Sequence, residues 1–518
     1  MKQQKLLQTV LFGFALSIVF QFSNTLNAQR KKKPNVLLIY TDDHRYTGVH
    51  ALGGQDVQTP NIDSLAEQGL IFSNTFLMGS FNGGTCVPSR AQLLSGRKLF
   101  DLKGIGRVIP KKHTSIGEAF QEAGYHSFMS GKWHQDNASL ARMFNDGATV
   151  MSRGIYLTDH YRMPHWDWVA DGNYKKEDGY LLVYNKKGDI VRRPVTKEDK
   201  KGPFGTEKNG PHTSETYAKN AVDFITNHNY KKPFFMYLAF HAPHDPRQAP
   251  KKFKDMYPEE NIKLTPSYLA QHPFDNGHMT TRDESLDIWP RTPKIARKHL
   301  SDYYATITHL DHQIGKVITS LKEKGQYENT IIVLSGDSGL GVGNHGLLGK
   351  QNIYDEDGVH VPFIISGKIK GDGRRIDAFS YIHDIFPTIC DLANIPIPTS
   401  VSGKSLAPVI DNKKKQIRDY TYHAYRQHQR AYRKGEYKLI EFVQAPDISK
   451  SKEKIVSGSK TTLLFHIKKD PWEVTNLAFL KEYKTILKNM RKEMKAKALE
   501  LNDYKERLDY PVDFWDYY

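Results

Sequence analysis

The chain has 518 residues, with 74 Lys and Arg against 57 Asp and Glu, a formal net charge of +17 and two cysteines. This length buries a large core as one big domain with a smaller companion, and two cysteines exclude a disulfide framework, so packing must carry the stability. The positive balance favours anionic partners, but the lysines are scattered and no DNA or RNA motif occurs, which sets nucleic acid aside.

Residues 1–28 read as a secretory signal. Lys2 and Lys5 open it, Leu6 to Phe20 is mostly apolar, and Leu26-Asn27-Ala28 offers a cleavage site. The apolar run is short and interrupted by Gln8 and Thr9, and no other stretch reaches spanning length, so no stable membrane insertion is expected. Export without a disulfide framework predicts a bacterial periplasm, with secretion as the second choice.

Asn35 to Tyr40 is a continuous apolar strand of the kind covered on both faces, and it ends at Thr41-Asp42-Asp43-His44. Helices and strands then alternate. Asn61 to Gln68 is a helix and Leu70 to Phe72 a strand; Ser115 to Glu122 is a helix leading into His126 to Met129. Ser214 to Asn227 precedes the strand Phe234 to Phe240, and a helix from Lys294 to Lys324 feeds Thr330 to Leu334. Val361 to Ile365 is the last apolar strand. This order predicts an α/β sandwich with a largely parallel sheet, and polar residues collect after its strand ends, where open sheets bind ligands. Two irregular stretches interrupt it: residues 159–210, with a hairpin near Tyr180 to Arg193, and residues 251–291. Cys390 lies in an apolar helix, Ile385 to Leu392, and reads as a core thiol.

From Arg418 the pattern changes. Tyr420 to Tyr425, Arg430 to Arg433 and Tyr437 to Phe442 alternate as antiparallel strands, and a terminal helix covers Lys481 to Leu499. The predicted organisation is a large domain over 29–415 and a small α+β domain over 416–518.

The chemistry centres on Cys86-Val87-Pro88-Ser89-Arg90. Gly83, Gly84 and Thr85 deliver the cysteine to a helix whose first residue is predicted to be Pro88 and whose stop is Gly96. A helix N-terminus favours an anion, and Arg90 lies one turn along. Asp42 and Asp43 at a strand end repel one another unless a cation sits between them, the alternative being a solvated turn. Asp337, on a Gly-flanked turn, is the third carboxylate; such a set suits Ca²⁺, with Mg²⁺ second.

The run from Cys86 to Arg97 resembles the sulfatase pattern Cys-x-Pro-Ser-Arg-x-x-Leu-Leu-x-Gly-Arg, with Ser95 where threonine is more usual. The resemblance extends from Val36 to Asp470-Pro471-Trp472. It implies the alkaline-phosphatase-like α/β/α fold and a sulfuric ester hydrolase whose cysteine is oxidised by a maturation enzyme to formylglycine, its hydrate being the nucleophile. It further implies Asp42, Asp43, modified Cys86 and Asp337 as metal ligands, with Arg90 holding the modified residue. Sulfatases usually place Asn or His after the third Asp; here Ser338 stands there, so Ser338 itself, Asn344 or water fills that position.

Gly131-Lys132-Trp133-His134 matches a family segment in which Lys132 binds sulfate and His134 contacts the nucleophile. His241-Ala242-Pro243-His244 resembles the segment whose last histidine, His244, protonates the leaving group, and Gly349-Lys350-Gln351-Asn352 resembles the one carrying a second sulfate-binding lysine, Lys350. Charge and export then favour a sulfated carbohydrate as substrate, algal polymers such as ulvan or carrageenan ahead of glycosaminoglycans. His44, Arg45, Asp245, Arg247 and His345 are candidates to line its sugar site. A phosphate or phosphonate ester hydrolase of the same fold, and a non-catalytic binder of acidic glycans, are the competing readings.

Overall fold

The computed structural model describes residues 32–151, 159–200, 204–444, 459–503 and 514–518; the segment read as a secretory signal lies outside them. The first apolar run forms the strand Asn35–Thr41, buried at every residue. It lies inside a nine-stranded sheet, parallel to Phe234–Ala239 on one side and to Thr330–Gly336 on the other, so Ile39 pairs with both Leu238 and Leu334. His126–Lys132 and Asp146–Met151 continue the parallel ladder. Toward the other edge Phe363–Gly367 runs antiparallel to Thr330–Gly336. That strand begins two residues later than the pattern predicts, because Pro362 has no N–H to give a ladder.

Alternation of side chains fills both faces. Leu37 and Ile39 meet Ile62 of the helix Pro60–Gln68, Ala221 of Thr213–Asn227 and Leu310 of Pro293–Glu323. Val36 and Leu38 face the other way, into a core with Leu93, Phe120, Leu140 and Ile389. Cutting a leucine such as Leu38 to alanine in packing of this kind costs about 2–5 kcal/mol. This is the α/β/α sandwich expected.

Helix ends follow their side chains. Thr292 accepts from the N–H of Ile295 and Pro293 occupies the first turn of the longest helix. Ser115 and Glu118 form a capping box for Ile116–Glu122. The cysteine helix runs Cys86–Ser95, starting two residues before the predicted Pro88, since the N–H of Ser89 already bonds the Thr85 carbonyl. Pro88 falls within the first turn, where its missing N–H costs nothing. Gly96, at φ 61°, closes it.

A second sheet of five strands holds Tyr420–Tyr425, Gln429–Lys434, Tyr437–Gln444 and Ser459–His466 in antiparallel order. Its fifth strand is Gly79–Ser80, which comes from just ahead of Cys86 and pairs in parallel with Tyr420–Tyr425. Leu487, Met490 and Met494 of the helix Lys484–Leu501 join the core beside it. Asn35–Tyr518 form one compact unit. Tyr180–Tyr184 and Ile190–Pro194 make the expected hairpin, and Cys390 is a buried free thiol. Among the described residues no helix is long and apolar enough to cross a membrane.

Candidate active site

The sheet ladder fixes the three acids. Just beyond the end of Asn35–Thr41, the Asp42 N–H bonds the Ala242 carbonyl at 3.2 Å, and the Asp337 N–H bonds the Thr41 carbonyl at 3.0 Å. Asp43 adopts φ 61° and gives its N–H to Asp337 Oδ1 at 2.8 Å. Asp42, Asp43, Cys86 and Asp337 thereby offer one ligand atom each, all within 4.8 Å of one another and all buried. Ser338 Oγ donates to Asp43 Oδ1 at 3.2 Å, so it stands at the same cluster.

Arg90 ties the cysteine helix to this cluster. Its Nη1 donates to the Lys132 carbonyl at 3.1 Å and the Tyr237 hydroxyl at 2.9 Å, and its Nη2 lies 3.5 Å from both Asp42 Oδ1 and Asp337 Oδ2. Lys132, at the end of His126–Lys132, pairs with Asp42 Oδ2; Lys350 Nζ lies 2.5 Å from both oxygens of Asp43. His241 donates from Nδ1 to Asp42 Oδ2 at 3.1 Å. His244 stacks on His241 with ring centres 4.7 Å apart. Its Nδ1 donates to the Asp245 carbonyl at 2.7 Å, which aims Nε2 at Asp43, 3.7 Å away.

Burial and charge set the ionisation. Burial pushes the Cys86 thiol well up, and Asp337 and Asp42 add to it. Burial and then the Asp42 charge likewise raise Asp337 well above the carboxylate range. Burial also acts on Asp42, but the Lys132 ammonium together with Asp337, His244 and His241 holds that carboxyl well down. Burial lowers His244, with Lys350 and Lys132 adding to it, so its resting form is the neutral imidazole.

The donor set fits a hard cation. Asp42 Oδ1 and Asp337 Oδ2 are buried and accept no hydrogen bond, beside a third carboxylate and a side-chain oxygen. The cluster opens into a cavity of about 370 Å³ lined by Cys86, Lys132, His134, His244 and Lys350. A larger groove of about 900 Å³ beside the Tyr180–Pro194 hairpin is lined by Glu215, Glu323, Lys219 and Lys316, and among the described residues none of its acids belongs to a cluster that could hold a metal.

Several sugar-site candidates point elsewhere. Arg45 bonds Tyr304, His44 bonds Thr41 and the Gly48 carbonyl, and Arg247 bonds His299 and the Leu348 carbonyl. His345 bonds Asp357 and the Glu473 carbonyl, while Asn344 is taken up by Thr265 and Asp357, away from the acids. Asp245, by contrast, stays at the site: it offers a ligand atom within 4.8 Å of those of Asp43 and His244, and it pairs with Arg282 of the cavity lining. The cavity mouth is instead lined by His278, Thr281, Arg282 and Asp283 from the 251–291 stretch, and by Gln351. Irregular sequence gave no periodicity by which to single these residues out; only the length of the insertion marked it.

The chain is similar to known proteins over most of its length. The family model described as Sulfatase matches residues 34–395, and that described as N-sulphoglucosamine sulphohydrolase, C-terminal, matches residues 343–500. An arylsulfatase of Clostridium perfringens (strain 13 / Type A) is 30% identical over 480 residues, covering 89% of this chain and 93% of its own. An ulvan-active sulfatase of Formosa agariphila is 26% identical, covering 94% of this chain and 85% of its own. A solved structure in complex with its substrate D-glucosamine-2-N,6-O-disulfate superposes with a TM-score of 0.68 at 21% identity, covering 92% of this chain and 100% of that one. With a family match across most of its length, and the acids, cysteine and lysines gathered at one sheet edge, the chain belongs to the sulfatase family and is a sulfatase enzyme.

Proposed function

We propose that this sulfatase removes sulfate from a sulfated carbohydrate, using a formylglycine made from Cys86. The observation that carries the reading is the meeting of Cys86 with Asp42, Asp43 and Asp337 inside a ring of cations, Arg90, Lys132 and Lys350. A sulfate ester is a tetrahedral monoanion whose oxygens need fixed positive charge as the ester bond breaks.

Asp42, Asp43, Asp337 and residue 86 would hold Ca²⁺, Mg²⁺ being second, with Ser338 Oγ as the added oxygen. When bound, the ion supplies Lewis-acid stabilisation of negative oxygen. The hydrated aldehyde supplies the nucleophilic oxygen at position 86. Arg90 fixes that residue's helix against the acids. Lys132 and Lys350 receive the sulfate oxygens. His244, its Nδ1–H anchored on the Asp245 carbonyl, takes up a proton from solvent at Nε2 as the ester binds and gives that proton to the departing alcohol. His134 lines the cavity with Nδ1 buried and accepting no hydrogen bond, placed to take the proton from the remaining hydroxyl of residue 86 as the carbon–oxygen bond to sulfate breaks, sulfate leaves and the aldehyde re-forms.

Cys86 is only 2% exposed, so a maturation enzyme must reach it before the fold closes. Export through the 1–28 segment to the periplasm belongs to the same proposal. Substrate choice leans to algal polymers such as ulvan or carrageenan over glycosaminoglycans; the net charge and the ulvan-active relative support this. The test uses protein made with a maturation enzyme, with mass spectrometry at residue 86 and hydrolysis of aryl sulfate, aryl phosphonate and defined sulfated oligosaccharides. Sulfate release that needs the modified residue supports the reading. An unaltered thiol in active protein, or faster phosphonate cleavage, overturns it.

A further inference from the structure

We propose that Glu284 is a positioning residue for Lys350, acting through the two backbone amides that precede the lysine. This rests on the reading of Lys350 as a sulfate-binding lysine. Thr281 to Asp283 line the cavity mouth, whereas Glu284, next in the chain, is buried at 5% exposure. Its Oε1 accepts from the N–H of Gly349 at 2.8 Å and of Leu348 at 3.2 Å, and its Oε2 accepts from Leu348 at 3.1 Å. Arg291, wholly buried, lies 3.2 Å from Oε2 and donates to the Glu284 carbonyl at 2.5 Å. A buried carboxylate is tolerated only with such compensation, so the group is held as an acceptor for these amides.

The other side of the lysine is held from the same turn. Asp283 Oδ2 accepts from Gln351 Nε2 at 2.8 Å, and Gln351 Oε1 accepts from the N–H of Lys350 at 3.0 Å. Between the strand ending at Gly336 and the turn of helix starting at Asp355, no helix or strand of the described residues supports this backbone. The two stretches pack so closely that a Cβ at Gly349 would stand 2.9 Å from Asp283 Cβ and 3.1 Å from Glu284 Oε1. A lysine is a flexible point charge, and its aim depends on where its backbone is pinned. The 251–291 stretch therefore does more than wall the cavity: Asp283 and Glu284 bracket Lys350.

The experiment takes matured enzyme as wild type, Glu284→Gln, Lys350→Ala and the double variant. It measures kcat and KM on an aryl sulfate and the inhibition constant of inorganic sulfate. In Glu284→Gln the carboxamide turns an NH₂ toward one of the amides it should accept from. The expected result is a loss of about 10-fold in kcat/KM with weaker inhibition by sulfate, the scale set by supporting groups behind a binding residue. The double variant should be no worse than Lys350→Ala alone, since both remove one function. Losses that multiply in the double variant, or unchanged sulfate inhibition in Glu284→Gln, overturn the inference while leaving Lys350 in place. A Lys350→Ala enzyme with normal kinetics and normal sulfate inhibition overturns the role of Lys350 itself, and this inference with it. Glu284→Asp, which keeps the charge but withdraws the oxygens by one methylene, carries the same prediction if Glu284→Gln does not fold.

Discussion

The carbonyl of Lys132 accepts a hydrogen bond from Arg90 Nη1 at 3.1 Å. One guanidinium thus joins the helix that starts at Cys86 to the strand end that carries Lys132, and its other face meets Asp42 and Asp337. Lysine cannot reproduce that fork. Arg90→Lys is expected to orphan the Tyr237 hydroxyl and the Lys132 carbonyl, at about 1–3 kcal/mol for each buried group left unpaired. A fall in Tm together with a loss of at least about 100-fold in kcat/KM on an aryl sulfate is the expected pair of readings. Normal kinetics with a lowered Tm would reduce Arg90 to a structural part.

Gly131 precedes Lys132 at φ 110°, and a Cβ there would stand 1.9 Å from the Ala239 carbonyl oxygen. That carbonyl belongs to the neighbouring strand Phe234–Ala239, so it cannot withdraw without opening the ladder. Gly131→Ala combines a left-handed backbone with a clash and should cost about 3 kcal/mol or more. Thermal melting checks this. An alanine variant within a degree of wild type would mean that the strand end is more adaptable than the geometry allows.

Much of the site was legible because it sits where patterns are strong. Asp42 and Asp43 follow a strand of five apolar residues, and Cys86, Arg90 and Lys132 lie in short dense motifs. What was not legible depends on contacts across long sequence distances. Gly79–Ser80 has no strand pattern of its own and becomes a strand only by lying beside Tyr420–Tyr425. Arg45, Arg247 and His345 are polar residues near motif residues, yet their partners are Tyr304, His299 and Asp357. Charge type alone cannot say which way such a side chain turns. Glu284 lay unremarked in the long irregular insertion, and only the fold sets it behind Lys350.

Asp42 Oδ1 and Asp337 Oδ2, buried and accepting no hydrogen bond, lead to a binding prediction that needs no turnover. If these acids hold Ca²⁺, adding it at 100 times its Kd stabilises the native state by about 2.7 kcal/mol. Calorimetry or thermal melting should show a Tm that climbs with Ca²⁺ and falls with EGTA. Asp337→Asn should abolish the dependence, because one anionic ligand is gone. A melting curve indifferent to Ca²⁺ and Mg²⁺ in the wild type would remove the cation from the account.

Asp384 and Arg418 give the clearest pH prediction, neither belonging to the acids gathered at Cys86. Asp384 is fully buried, receives the N–H groups of Tyr381 and Lys404 at 2.7 Å each, and pairs with both terminal nitrogens of Arg418. Burial alone would raise this carboxyl, but Arg418, with His383 and the Lys404 N–H, holds it below its ordinary value. A depressed carboxylate contributes stability that is fully present above the unfolded pKa, about 3.9, and is lost as pH falls through the lower folded value. Breaking a buried pair by removing one charge costs about 3–5 kcal/mol. Asp384→Asn should therefore melt well below wild type at pH 7, with the gap closing as pH drops below about 4. A gap of the same size at pH 7 and pH 3 would assign the stabilisation to the hydrogen-bonded shape of the side chain and not to its charge.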